Sequence, residues 1–265
     1  MSGVSVPPLP VAIHSAWSII SLRPAGRHAH IRRAIAHYGG RCIAASPVRI
    51  VRRNDARARA NLLCALHAHT VIFTSPEAVK AARACMPLLI HSQQQVLCMG
   101  PSTAEALVAA GVQHSLYPPS MNSEGLLNLP AFVHAQSIGL VTAPGGRECL
   151  LAKCVRDAKP VYRADVYERV PLRLPRRRCV FLAKKLATLR CGLLVSSLEL
   201  LEIFIAHADG MLTERVYCCP VVVSSTRLAS AAQKLGFSDV VLSQGPIPAQ
   251  LAHAAALRFG YQMLR

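Results

Sequence analysis

The sequence predicts an α/β fold of two doubly wound parallel-sheet domains, the second inserted in the first. Three observations carry that expectation. First, six times along 265 residues a short apolar run gives way to a turn of small or hydroxyl-bearing residues and then to a helical pattern. Those turns fall at Arg23, Thr74, Ser102, Gly145, Ser197 and Ser225. Strands alternating with helices of about 10–15 residues argue for parallel sheets with helices on both faces. Second, about ten strand candidates are too many for one small sheet. Third, two extended pieces, Pro47–Val51 and Arg163–Val170, read as crossings between domains. The expected organisation is a flexible tail over 1–14, a discontinuous first domain of 15–47 plus 172–265, and an inserted second domain over 48–171.

The elements follow from local chemistry. Trp17–Leu22 is an apolar strand candidate, followed by Arg23-Pro24-Ala25-Gly26 and a helix over about Arg27–Tyr38 that Gly39-Gly40 ends. Cys42–Ala45 is a strand, and Ala56–His69 a helix leading into the clearest unit of the chain. There Val71–Phe73 is a buried strand, Ser75 an N-cap and Pro76 the first helical residue, where its missing N–H costs nothing. Glu77 then suits the positive end of the helix dipole. Gln95–Met99 is a strand, Gly100–Thr103 a turn and Ala104–Ala110 a helix. An extended piece at Ser115–Pro118, a helix near Ser123–Leu129 and the strand Ile138–Thr142 come next. The turn Pro144-Gly145-Gly146 opens a helix from Arg147 to about Ala158, and Val161–Val170 is extended. Arg173–Arg178 leads into a helix over Cys179–Arg190. Strand Leu193–Val195, turn Ser196-Ser197 and helix Leu198–Ala206 repeat the pattern. So do Val221–Val223, Ser224–Thr226 and Arg227–Leu235. Val240–Ser243 and a helix over Ala249–Phe259 close the chain. Right-handed crossovers place every such turn at the carboxyl edge of its sheet, where ligands of open α/β sheets bind.

Composition narrows the partner. Apolar residues make up 52% and charged residues 16%, enough to bury a sizeable core and against global disorder. The net charge of +17 favours an acidic partner: nucleic acid, an anionic membrane, or a polycarboxylate or phosphate ligand. Aromatic residues at 5% make a poor base-stacking platform. The ten cysteines contain no CxxC pair and mostly sit in apolar runs, which fits buried thiols in a reducing cytoplasm. Met1–Pro10 lacks a positive n-region, and no apolar run approaches the roughly 18 residues of a membrane span.

The familiar catalytic signatures are missing. There is no GxGxxG, no GxxxxGK[ST] and no GxSxG. His28/His30 and His67/His69 are two apart on predicted helices, which turns them to different faces and makes them poor metal pairs. What is present is a set of hydroxyl-bearing helix starts, a Pro144-Gly145-Gly146-Arg147 turn and one phenol, Tyr167, at a predicted crossing. Helix N-termini offer free backbone N–H groups to anions.

Six segments occur in order: TSPEAVKA (Thr74–Ala81), GPSTAEAL (Gly100–Leu107), SEGLL (Ser123–Leu127), TAPGGRE (Thr142–Glu148), VYERVP (Val166–Pro171) and VVVSSTRLASAAQKLGF (Val221–Phe237). With the Arg23-Pro24 start, this series resembles the uroporphyrinogen-III synthase family over nearly the whole chain. The resemblance implies two α/β domains joined by a two-stranded linker. It implies cyclisation of hydroxymethylbilane to uroporphyrinogen III with inversion of the D ring and loss of water. Neither a metal nor an organic cofactor is implied. The substrate is a linear tetrapyrrole polycarboxylate. Substrate-binding residues on this expectation are Arg23, Thr74, Ser75, Ser102, Thr103, Gly145, Gly146, Arg147, Ser196, Ser197, Ser225 and Arg227. Tyr167 matches the family's tyrosine and assists departure of the hydroxyl as water. A cytoplasmic monomer supplied by the upstream hydroxymethylbilane-producing enzyme completes the expectation. Ser196-Ser197-Leu198 is a plainer turn than the family's usual one, and the Arg176–Arg178 cluster is additional.

The alternative is a non-catalytic basic two-domain protein that binds nucleic acid or another polyanion. Its motive is the charge and the Arg-rich stretches. It ranks second because nothing in the sequence resembles a groove-reading motif.

Overall fold

The structure, a computed structural model, describes residues 16–120, 123–145, 148–188 and 190–260. The expected tail over 1–14 lies outside the described residues. In chain order the elements begin with β1 (Ser18–Ser21), α1 (Ala29–His37), β2 (Arg41–Ala44), β3 (Val48–Arg52), α2 (Ala56–Leu66), β4 (Thr70–Phe73) and α3 (Pro76–Cys85). They continue with β5 (Gln95–Cys98), α4 (Pro101–Ala109), α5 (Ser123–Leu127), α6 (Pro130–Val133), β6 (Ile138–Thr142), α7 (Glu148–Arg156), β7 (Val161–Asp165) and β8 (Tyr167–Pro171). The last are α8 (Arg176–Leu186), β9 (Cys191–Val195), α9 (Leu198–Ala206), α10 (Gly210–Cys218), β10 (Val221–Val223), α11 (Thr226–Lys234), β11 (Val240–Leu242) and α12 (Pro248–Phe259).

The chain divides into two compact units. One takes the residues up to Arg49 and from Val170 onward, the other Ile50–Arg169. The first unit holds a five-stranded parallel sheet in the order β11-β10-β9-β1-β2. Strand alternation sorts its side chains onto two faces. Ile20, Leu22, Ile43, Leu193 and Val195 meet α8, α9, α10 and α11 on one face. Trp17, Ile19, Leu194 and Val222 meet α1 and α12 on the other. Ile31 and Ile35 are one turn apart on α1, so both point into that layer. Each such fully buried aliphatic side chain stabilises the fold by about 1.5–3 kcal/mol relative to exposure.

The second unit holds a four-stranded parallel sheet in the order β5-β4-β6-β7. Its central strands β4 and β6 are buried at every residue, as expected of a parallel strand covered on both faces. On one side lie α2 and α3 with Leu62, Phe73, Val79 and Val141; on the other Ile72, Leu97, Leu140 and Leu150. Strands β3 and β8 form a two-stranded sheet of their own, and the chain leaves and re-enters the first unit within them.

Several local expectations need correction. The stretch Val161–Val170 is not one crossing piece: it breaks at Val166, so that Arg163–Asp165 belongs to β7 in the sheet and only Tyr167 onward pairs with β3. Helix α4 starts at Pro101, which puts Ser102 and Thr103 inside its first turn rather than in the preceding one. The sequence pattern does not predict helices α6 and α10; α10 is capped by Asp209, whose carboxylate accepts from the Leu212 N–H at 3.0 Å. Among the described residues no helix is long and apolar enough to cross a membrane.

Candidate functional site

In an open parallel sheet, the strands that lead off in opposite directions leave a crevice between them at their carboxyl ends, and ligands bind there. In the second unit that point lies between β4 and β6, since β4 leads to β5 on one side and the chain returns to β6 on the other. Immediately beyond β4 come Thr74 and Ser75, and beyond β6 come Ala143, Pro144 and Gly145.

The crevice is built from hydroxyls. Thr74, 8% exposed, donates through Oγ1 to Thr142 Oγ1 at 2.9 Å and so ties the ends of β4 and β6 together. Ser75 caps α3: its Oγ accepts from the Ala78 N–H at 3.1 Å, with Pro76 and Glu77 in the first turn. The same Oγ shares a 3.1 Å hydrogen bond with the hydroxyl of Tyr167, in which either group can donate. Tyr167 is 4% exposed and belongs to the buried cluster that includes Phe73, Ala78 and Ala143, while the Arg169 guanidinium lies 6.0 Å from its ring centroid. The phenol is therefore oriented at both ends, by its ring in the core and by its hydroxyl on a helix cap. Gly145 has φ +69°, a left-handed turn that an L side chain rarely adopts, with open space where a Cβ would stand. Gly146 and Arg147 lie outside the described residues. Ser102 is exposed on α4, whereas Thr103 is 2% exposed and points into the interior. Both stand on the outer strand's helix, one strand away from the crevice.

In the first unit the equivalent point lies between β1 and β9, because β1 leads to β2 on one side and β9 lies on the other. Arg23 follows β1, and Ser196 and Ser197 follow β9. Burial lowers the Arg23 pKa, with the Cys42 thiol acting in the opposite sense, and its Nε has no hydrogen-bond partner. Ser197 is the N-cap residue of α9 in extended conformation, with no side-chain cap bond. One strand further on, Ser225 caps α11 by accepting from the Leu228 N–H at 3.3 Å, and Arg227 is exposed in the first turn.

The structure thus brings together Thr74, Ser75, Gly145 and Tyr167 in the second unit. In the first it groups Arg23, Ser196 and Ser197, with Ser225 and Arg227 on the next helix. Sequence reasoning missed Thr142, Ser21 and His28 beside these groups. The available signal was a hydroxyl closing an otherwise apolar strand, in IGLVT and SIIS. Chemically, the arrangement offers helix N-termini and hydroxyl donors to acid groups, and one held phenol to a leaving oxygen.

Compared with protein families, residues 29–252 match the model described as uroporphyrinogen-III synthase HemD. A solved structure of a mutant uroporphyrinogen III synthase from the extremely thermophilic bacterium Thermus thermophilus is 14% identical, covers 89% of this chain and 96% of its own, and superposes with a TM-score of 0.62. Uroporphyrinogen-III synthetase from Helicobacter pylori is 15% identical, with coverage of 91% and 100% and a TM-score of 0.57. At these identities the two structures establish a shared fold.

Proposed function

Because the chain belongs to the uroporphyrinogen-III synthase family, lyases of tetrapyrrole biosynthesis, we propose that it cyclises hydroxymethylbilane to uroporphyrinogen III. The D ring is inverted and water is lost. The observation that carries this reading is the family match over residues 29–252, nearly all of the described chain.

The residues act as follows on this reading. Acetate and propionate groups of a flexible linear polyacid are met by helix starts and their backbone N–H groups, in the second unit at Thr74, Ser75, Ser102, Gly145 and Gly146 and in the first at Ser196, Ser197 and Ser225. Thr103, expected among them, is buried with its N–H on the Gly100 carbonyl and drops out. Arg23, Arg147 and Arg227 add charge. Holding both ends of the chain in one geometry is worth roughly 7–11 kcal/mol in favourable cases. That range is ample to prefer the inverted closure over the direct one. Tyr167 meets the terminal hydroxyl of the substrate and gives it a hydrogen bond as it leaves as water. Its own hydroxyl is held by Ser75, which is bonded in turn to α3, and that chain of contacts supports a positioned rather than a wandering donor. The enzyme works as a monomer in a reducing cytoplasm and takes its substrate from the enzyme that produces hydroxymethylbilane. Sedimentation of the purified chain tests the monomer.

Incubating the chain with hydroxymethylbilane, oxidising the products and resolving the porphyrin isomers tests the reaction. Type III is expected. Type I alone, at the rate seen without protein, refutes the reading.

A further inference from the structure

At the carboxyl end of β1 the first unit keeps positive charge that no described Asp or Glu offsets. Arg23 is partly buried and its Nε has no hydrogen-bond partner. Ser21 stands two residues earlier, as the last residue of β1. It is 0% exposed, and its Oγ is also without a partner. His28, 5% exposed at the N-cap of α1, shares a 2.9 Å hydrogen bond between Nε2 and Ser46 Oγ. Its Nδ1 is buried, and the nearby Arg23 carbonyl does not reach hydrogen-bond geometry with it. Arg32, one turn into α1, adds a second positive field at His28 and at Cys42. Among the described residues, no Asp or Glu acts on Arg23, His28 or Cys42.

Buried polar groups are partnered in the great majority of cases, and buried charges are paired. Three open polar atoms and two cations in one corner are the complement of an anion with oxygen acceptors. A trapped water would serve Ser21 but would not offset the charge. If the corner served packing alone, an apolar residue at position 21 would do better than a hydroxyl facing nothing. The corner also lies at the switch point between β1 and β9 and at the positive end of a nine-residue helix.

We infer that this corner is a carboxylate subsite formed by Arg23, Ser21 and His28. The guanidinium, the partly exposed member of the three, meets the ligand first through its N–H fork. Ser21 and His28, the latter oriented by Ser46, form the inner wall. The inference rests on the cyclisation reading above and deepens it: one acid side chain of the substrate is assigned to named residues, two of which no motif marks.

Two variants and one titration test it. Arg23→Gln keeps the length and removes the charge; Ser21→Ala removes only the buried hydroxyl. Each is expected to raise KM for hydroxymethylbilane by about tenfold. Because Ser21→Ala deletes an unpartnered buried hydroxyl, its Tm should stay level or rise, so a loss of affinity there is not a loss of fold. Independently of turnover, mellitate (a benzene polycarboxylate) is titrated into the full chain while the ring-nitrogen resonances of His28, assigned with His28→Gln, are followed. A saturating shift that Arg23→Gln abolishes is expected. If the wild type makes only type I product but mellitate gives that shift, the subsite stands and the reaction falls. If type III forms while both variants keep KM within about twofold, or His28 does not respond, the subsite is overturned. A response to inorganic phosphate at much lower concentration than to mellitate also overturns it, by reassigning the corner to phosphate.

Discussion

Tyr167 and Ser75 lie 92 positions apart and share a hydrogen bond, so neither can be judged alone. Removing the phenol oxygen in Tyr167→Phe leaves the ring packing untouched and costs about 0.5–1.5 kcal/mol of stability. If the hydroxyl serves the departing water, kcat falls by roughly a hundredfold while KM barely moves. Unchanged kcat with only the stability loss would leave Tyr167 a structural residue. His28 gives a second residue-level prediction. Burial first, then the fields of Arg32 and Arg23, hold its imidazole below the ordinary value of 6.5. Ser46 holds its Nε2 at 2.9 Å. The unfolded chain therefore takes up the proton before the folded one does. The stability contributed by neutral His28 is present above 6.5 and is lost as pH falls below it. Denaturation midpoints of His28→Gln should decline less than those of the wild type between neutral and mildly acidic pH. Parallel decline of the two would remove the titration from His28.

At the scale of elements, close backbone approaches decide more than helix propensity. A Cβ on Gly139 of β6 would stand 1.9 Å from the Ala65 carbonyl oxygen of α2. Backbone cannot yield there, and Gly139→Ala should destabilise by about 3 kcal/mol. Gly145→Ala meets nothing within 4 Å. It should cost only the left-handed strain of its φ, about 1–2 kcal/mol. Urea midpoints of the two variants compare these directly, and equal losses would contradict the packing account. The same scale shows what could be read in advance. Strands such as Ile138–Thr142 and Val221–Val223, and helix Leu198–Ala206, were legible because apolar runs end at hydroxyl or proline residues with strong local preferences. Helix α10 was not: Gly210 and Met211 give a weak start, and its cap Asp209 has no acidic or proline neighbour to mark the first turn. The break at Val166 was invisible because partner choice between two sheets is a tertiary decision. Of the site, the capping serines could be read locally. The Thr74–Thr142 tie and the open corner at Ser21 depend on which strands become neighbours.

For the molecule as a whole, charge is unevenly shared. Eighteen of the thirty Lys and Arg residues and five of the thirteen acidic ones fall in the first unit, leaving it at +13 and the second at +4. A polycarboxylate substrate is drawn to such a field, and the attraction is screened as the Debye length shrinks from about 10 Å at 0.1 M salt to about 3 Å at 1 M. KM should therefore climb with salt while kcat holds. A salt-independent KM would show that backbone N–H groups and hydroxyls carry the binding without the field. On this reading the protein selects one ring closure by holding the acid groups of a flexible chain. The most direct measurement is the isomer composition of the porphyrin formed from hydroxymethylbilane at catalytic protein concentration. Type III is predicted to dominate, in proportion to protein added. Product that is type I, at a rate indifferent to the protein, would contradict that selection.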